Sequence, residues 1–337
     1  MKSYGIRGIF LNILKNSFNN RQQIVKYNDI FSEPIDVISG VLQGGVLSPT
    51  LFNVYVADIA DNIECQSYIF ADDFVLVKKI YNENDCNSLQ NDLNKVYNYC
   101  YANSLRLNPE KCEFIRFSLK KTNIFKYEIN NTIIKNVDNH EHIGIVYDNK
   151  MCFNFHIDMI VEKALKKFYT LRYICKKVNP KVFLKLYQTY VLPILEYHNM
   201  CVMFTETQSK RLESVQKRVT KFICFKFNKT YLKYDKRLEL LNIDSLLIRR
   251  KLQLLKTIFK IKMNFTNISE NWKNELIFYE SSRNGVFCKI NLNRINLSDK
   301  YIFDYCVKLF NCLPLDVRNE CKFNTFVNKS KLFLINH

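Results

Sequence analysis

The sequence predicts an α+β fold, a small sheet-bearing part followed by an all-α part, on three observations. Two apolar runs, Tyr68-Ile69 and Phe74-Val75-Leu76-Val77, flank Phe70-Ala71-Asp72-Asp73, the pattern of a β-hairpin with two adjacent carboxylates at its tip. The stretch from Gly40 to Asn53 reads as a glycine-rich loop running into a helix. From Ile157 onward, apolar residues return at helical spacing with lysines and arginines between them. At 337 residues the prior is two domains, and seven glycines and six prolines leave little linker.

Taken in order, the loop Gly40-Val41-Leu42-Gln43-Gly44-Gly45 has paired glycines that let a backbone approach a ligand closely. Ser48 suits an N-cap and Pro49 the first helical position. Leu51, Phe52, Tyr55 and Ile59 would then give the helix one buried face, with Asp58 and Asp61 in solvent. In the hairpin that follows, Asp72 and Asp73 are hard oxygen donors on a tight turn. Paired divalent cations about 3.5–4 Å apart need such ligands. A plain turn explains two aspartates equally well, since aspartate hydrogen-bonds its own backbone. Lys111, after Asn108-Pro109, fits a turn or helix start. A second hairpin is expected from Phe125 to Tyr147.

Three amphipathic helices come next. The first buries Ile157, Val161, Ala164, Leu165, Phe168, Leu171 and Cys175, and turns Lys163, Lys166, Lys167, Arg172 and Lys176 outward. Asn179-Pro180 opens the second, through Leu184, Leu186, Tyr187 and Val191, with Pro193 kinking or ending it. The third buries Leu212, Val215, Val219, Phe222 and Ile223 and exposes Lys210, Arg211, Lys217, Arg218 and Lys221. The expected divisions are 1–150, 151–260 and a less regular tail, 261–337, with the only tryptophan, Trp272.

Charge narrows the function. The chain carries 50 basic and 32 acidic residues, net +18, and the hundred residues from Val161 to Lys260 hold 23 basic against 7 acidic. Nearly all the excess lies in that block. Such a face attracts a phosphate backbone by releasing counterions, although any single lysine is adequately explained as solvating a helix. The 12 cysteines show no C-x-x-C spacing, and Cys306 with Cys312 is too isolated for a four-ligand zinc site, so reduced thiols are expected. His140, His142 and His156 are read as surface or packing residues rather than metal ligands. No leader-like or membrane-spanning apolar run is present, which points to an intracellular location, nuclear or cytoplasmic, and no membrane partner.

Six segments in order resemble the reverse transcriptase of non-LTR, LINE-type, Jockey-like retrotransposons: Tyr4-Gly5-Ile6-Arg7-Gly8; Gln43-Gly44 through Asn53; Phe70-Ala71-Asp72-Asp73; Leu105-Arg106-Leu107-Asn108-Pro109-Glu110-Lys111-Cys112; Ile143-Gly144-Ile145 with Asp148 and His156; and Leu309-Phe310-Asn311-Cys312-Leu313-Pro314 through Arg318. The resemblance implies a partial polymerase palm, its hairpin with the Asp-Asp turn packed on helices, followed by an all-α basic thumb. It implies Asp72 and Asp73 as ligands of catalytic Mg2+ or Mn2+ and Lys111 as an aid to the leaving pyrophosphate. Gln43, Gly44, Gly45, Ser48, Phe70 and Ala71 would contact nucleotide and template, and Ile143, Gly144 and Ile145 would form the primer grip. Lys163, Lys166, Lys167, Lys210, Arg211, Lys217 and Arg218 would hold nucleic acid. The partners implied are an RNA template, a DNA primer, their hybrid, and dNTPs joined to a primer 3′-OH.

Departures accompany the matches. Leu42 stands where the family usually has proline, and Gly45 where it has serine. The family's first metal-binding aspartate lies upstream of Tyr4-Gly5, whereas this chain begins at Met1 and only Asp29 and Asp36 precede the glycine-rich loop. The expectation is therefore an N-terminally truncated chain that lacks the third carboxylate and the fingers and does not polymerise alone. The alternative is a non-catalytic RNA- or DNA-binding remnant that uses the basic thumb.

Overall fold

The structure, a computed structural model, describes residues 4–118, 125–228, 231–264, 276–281, 285–290 and 302–336. Trp272 lies outside them. Helices and strands are mixed, as α+β requires, and the chain divides into two compact units. One comprises residues 1–114 and 121–136, the other 115–120 and 137–337. Among the described residues strands pair only two by two, and no larger sheet forms.

In the first unit, helix α1 (Gly8–Asn16) buries only Leu11 and Leu14. Helix α2 (Ser48–Tyr55) leads to strands β1 (Gln66–Phe70) and β2 (Asp73–Val77) and to the long helix α3 (Glu83–Ala102). A reciprocal cap starts α3. The Asp85 N–H donates to the Asn82 side chain at 3.1 Å, and the Asn82 N–H donates to the Asp85 carboxylate at 3.0 Å. Such caps contribute about 1 kcal/mol. Leu89, Leu93 and Tyr97 of α3 pack on Tyr127, Ile129 and Ile134, which form this unit's apolar centre.

Three expectations need correction here. Ser48 is the first residue of α2, makes no cap hydrogen bond, and is buried; Leu47 occupies the cap position. The helix stops at Tyr55 rather than running through Ile59, giving way to successive four-residue turns that begin at Val56, Asp58 and Ala60. The Tyr99 hydroxyl of α3 sits at that stop, donating its one proton to the Asp58 carboxylate and lying 3.2 Å from the Tyr55 carbonyl. Finally, the hairpin expected from Phe125 to Tyr147 is two hairpins. Asn130 and Asn131 take positive φ (48° and 59°), as do Ile143 and Gly144 (48° and 74°), so the segment reverses twice. Positive φ at both turn residues defines the tight type I′ connection.

The second unit opens with strands β3 (Asn139–His142) and β4 (Ile145–Asp148). Its helices are α4 (Asn154–Ile174), α5 (Pro180–Tyr190), α6 (Leu192–Glu196), α7 (Glu206–Asn228), α8 (Tyr234–Leu241) and α9 (Leu246–Lys262). Asn179 caps α5 through the Lys181 N–H, and Pro193 sits in the first turn of α6, so the proline both ends one helix and starts another. The apolar faces read from spacing are the buried ones: Ile157, Ala164 and Phe168 meet Leu212, Val215, Val219 and Ile223, with Phe183 and Tyr187 between. Each of the Ile, Leu, Val and Phe side chains among them contributes about 1.5–3 kcal/mol by leaving water.

Residues 276–336 are not an irregular tail where they are described. Strands β5 (Leu276–Ser281) and β6 (Gly285–Ile290) form a hairpin, and helices α10 (Ile302–Asn311), α11 (Leu315–Arg318) and α12 (Phe323–Asn336) close a core with Leu254, Leu255, Ile258 and Phe259 of α9. The closing motif explains itself structurally. Asn311 accepts the Cys288 N–H at 3.0 Å and donates to the Cys288 carbonyl at 2.8 Å, Arg318 donates to the Val286 carbonyl at 3.1 Å, and Phe310, Leu313 and Val317 are buried. Its residues fasten β6 to the helices.

All 12 cysteines are free thiols. Burial pushes the Cys288 and Cys306 thiols up to about 12, so they stay protonated and inert. No helix of the described residues is long and apolar enough to cross a membrane.

Candidate functional site

Residues Phe70 and Asp73 face each other across the β1–β2 ladder, which leaves Ala71 and Asp72 as the two turn residues. Ala71 adopts φ +53°, the left-handed region, at the position where such turns ordinarily place glycine. A side chain there costs about 1–2 kcal/mol. Both carboxylates are exposed, Asp72 at the turn and Asp73 on the first residue of β2. The flanking faces are open as well: Tyr68 and Phe70 are 52% and 61% exposed, so two strands alone do not cover them. What fixes the hairpin is its base. The buried Asp92 of α3 accepts the N–H groups of Glu64 and Cys65 at 3.1 and 2.9 Å and pairs with Lys95 at 2.8 Å. Burial by itself would raise this carboxyl, but the Cys65 thiol, Lys95 and the two backbone donors bring it down to about 2. Spacing gave no sign of Asp92, which sits on the buried stripe of an otherwise ordinary helix.

Upstream, the Gly45 N–H donates to the Leu42 carbonyl at 3.1 Å around Gln43 and Gly44, with Gly44 at φ +79°, the third position of a turn that wants glycine. Gly45 is fixed by space instead, because a Cβ there would meet the Ser48 hydroxyl at 2.6 Å. Gln43 and Gly44 are exposed at the loop tip. Lys111 ends a single 3₁₀ turn, Pro109–Lys111, capped by Asn108, and is exposed. No hydrogen bond or ion pair among the described residues joins Gln43, Asp72, Asp73 and Lys111.

Among the described residues no group of three or more His, Cys, Asp or Glu side chains is arranged to hold an ion. Two exposed carboxylates provide part of the six or so oxygens a divalent cation takes, so by themselves they do not make a closed site.

In the second unit the tip of β3–β4 is strained and clamped. Ile143, β-branched, holds φ +48° next to Gly144 at φ +74°, the two residues of the turn. The Tyr197 hydroxyl donates to the Ile143 carbonyl at 3.1 Å, and the Tyr197 ring lies 3.4 Å from where a Gly144 Cβ would be. Ile143 is presented at the tip. Ile145 is buried with Phe153 and Val202, and so serves packing rather than contact. His156 accepts the Val146 N–H through Nδ1 at 3.2 Å, which places its proton on Nε2, and packs edge-on against His198 at 4.9 Å. Burial holds both imidazoles below their ordinary value; His198, with His156 and Arg250 nearby, falls to about 3. Asp148 accepts the N–H groups of Lys150, Cys152 and Phe153 at 3.0, 3.0 and 2.6 Å, closing the loop into α4. Like Asp92, Tyr197 was not legible in the sequence, since it lies 54 positions from its partner.

The expected cationic face is only partly free. Lys210 pairs with Glu206 at 2.6 Å, Arg211 with Asp158, and Arg218 donates to the Tyr169 hydroxyl at 2.9 Å. The Lys217 ammonium lies 5.2 Å from the Tyr234 ring centroid. Lys163, Lys166 and Lys167 are exposed along α4 with no ion pair among the described residues. Exposed pairs are worth about 0–1 kcal/mol, so phosphate can compete for the paired cations too.

Comparison with known proteins follows the same segment. Residues 9–147 match the family described as Reverse transcriptase (RNA-dependent DNA polymerase). Over 182 residues the chain is 26% identical to a protein of Drosophila melanogaster named Probable RNA-directed DNA polymerase from transposon BS, covering 50% of this chain and 20% of that one. It is 23% identical over 197 residues to the RNA-directed DNA polymerase from mobile element jockey of the same fly, covering 55% and 22%. A third fly relative, Probable RNA-directed DNA polymerase from transposon X-element, is 21% identical over 224 residues, 64% and 25%. The matched stretches therefore span a fifth to a quarter of these relatives.

Proposed function

We propose, from a chain that carries a reverse transcriptase segment similar to those of Jockey-like non-LTR retrotransposons, a part in RNA-directed DNA synthesis. The sheet-bearing unit acts as a palm and the basic helices as a thumb on the primer–template hybrid. The observation that carries this reading is the Ala71-Asp72 turn, which presents two exposed carboxylates within the matched residues 9–147. Strain at Ala71 supports it, because unfavourable backbone is retained where the surroundings require it, most often at functional turns.

A divalent cation, Mg2+ or Mn2+, supplies charge at the attacking and leaving oxygens in this chemistry. Asp72 and Asp73 offer two of the oxygens such an ion takes, and a further donor has to come from outside the described residues. The Gln43-Gly44 tip offers backbone to a nucleotide or template, Lys111 a proton or charge to the departing pyrophosphate, and the Ile143-Gly144 tip a fixed rest for the primer strand. By itself the chain is inactive. The second reading, nucleic-acid binding without catalysis, is favoured by Lys163, Lys166 and Lys167, exposed along α4, which can hold a phosphate backbone without any metal.

The two separate in one experiment: fuse the chain behind the preceding portion of the transposon BS relative and assay primer extension on an RNA template in Mg2+. Extension that is lost in Asp72→Asn and in Asp73→Asn supports polymerisation. A fusion that binds primer–template yet adds no nucleotide favours the second reading.

A further inference from the structure

The cleft between α4 and α7 has a composition that duplex binding does not need. It encloses about 410 Å3 and is lined by Tyr169, Arg172, Tyr173, Lys176, Phe222 and Lys226. Phe222 is its floor, fixed edge-on against Phe168 and Phe183 at 5.8 and 5.1 Å. Lys226 sets the width by donating to the carbonyls of Cys175, Lys176 and Val178 at 3.5, 2.8 and 3.0 Å, which ties the end of α4 to α7. That ammonium is spent on structure. The other two cations are not. Arg172 lies 5.0 Å from the Phe222 ring centroid and Lys176 4.5 Å from that of Tyr173, so ring faces hold them while their outward N–H groups stay available. Tyr173 is 71% exposed, one helical turn from Tyr169, and no packing requirement explains a large flat ring there.

Rings and cations at this spacing suit a ligand with both a flat face and a phosphate. Within a duplex the base faces are covered by their neighbours, whereas a single strand offers them to aromatic side chains. We propose that this cleft binds one nucleotide of a single-stranded nucleic acid, its base on Tyr173 and Tyr169 and its phosphate on Arg172 and Lys176. The inference rests on the reading that the helical unit holds nucleic acid, and adds to it a strand type and a subsite.

The test uses the whole chain and fluorescence anisotropy with labelled ten-residue oligo(rU) and oligo(dT) and a duplex of equal length, across a salt series. Single strands bind more tightly than duplex. Tyr173→Ala weakens single-strand binding roughly 5- to 100-fold with an unchanged salt slope and unchanged duplex binding. Tyr173→Phe, which keeps the ring, retains the affinity, and Arg172→Ala lowers the single-strand salt slope by about 0.7. Whichever of rU and dT binds more tightly names the strand the cleft takes, and equal binding assigns it to either. A Tyr173→Ala chain that loses nothing, or loses duplex and single strand alike, overturns the cleft. If binding also falls on replacing Lys163, Lys166 and Lys167, the broader reading stands without it. No binding of any nucleic acid by the wild type overturns both.

Discussion

Two non-glycine residues in the left-handed region, Ala71 and Ile143, mark the two hairpin tips to which function was assigned. Ile143 is the more costly, because a β-branched side chain crowds its own carbonyl at positive φ. Asn-Gly is the favoured pair for this turn, so Ile143→Asn is expected to stabilise the chain by about 1 kcal/mol, read as a raised urea midpoint. If the tip grips a primer, the same change weakens primer–template binding. Neither strain was legible beforehand, since no composition rule marks alanine or isoleucine as left-handed. His156 and His198 give a second prediction at this scale. Their folded values lie below the unfolded one of about 6.5, so as pH falls the unfolded chain takes up the protons first. Their contribution is complete well above pH 6.5 and drains away as pH falls, for His198 at about 1.4 kcal/mol per pH unit down toward its folded value near 3. Urea denaturation at pH 7 and pH 5 reads the slope, and His198→Phe, which keeps an edge-on ring, reduces it by about one proton.

At the scale of elements, the amphipathic helices were legible because burial on one face leaves a 3.6-residue trace: α4, α5 and α7 lie where their apolar stripes put them. Boundaries set by distant side chains were not. The turn after α2 is tied to Tyr99 through Asp58, and the fastening of β6 depends on Asn311, both more than twenty residues away. Paired asparagines at 130 and 131 could have revealed the first of the two hairpins, since asparagine tolerates positive φ. Asn311→Ala removes a donor and an acceptor at once and strands both polar groups of buried Cys288. The expected loss is roughly 2 kcal/mol, seen as a lower unfolding midpoint, whereas replacing an exposed asparagine such as Asn87 would cost under about 0.5.

For the whole molecule, the charge excess was readable as a number and its placement as a helix face. Which cations are free needed three dimensions: Arg211 and Lys210 turn out paired, while Lys163, Lys166 and Lys167 do not. Replacing those three lysines with alanine should lower the slope of log affinity against log salt for duplex by up to about 2.7, at 0.9 per lost phosphate contact. The central proposal is that the chain holds primer–template through its helices while its two carboxylates, which offer only part of the six or so oxygens a divalent cation takes, do not drive synthesis alone. The most direct measurement is primer extension by the purified chain on an RNA template with Mg2+ and dNTPs, with binding followed in the same mixture. Salt-sensitive binding with no added nucleotide is the predicted result. Robust extension that Asp72→Asn abolishes would contradict it.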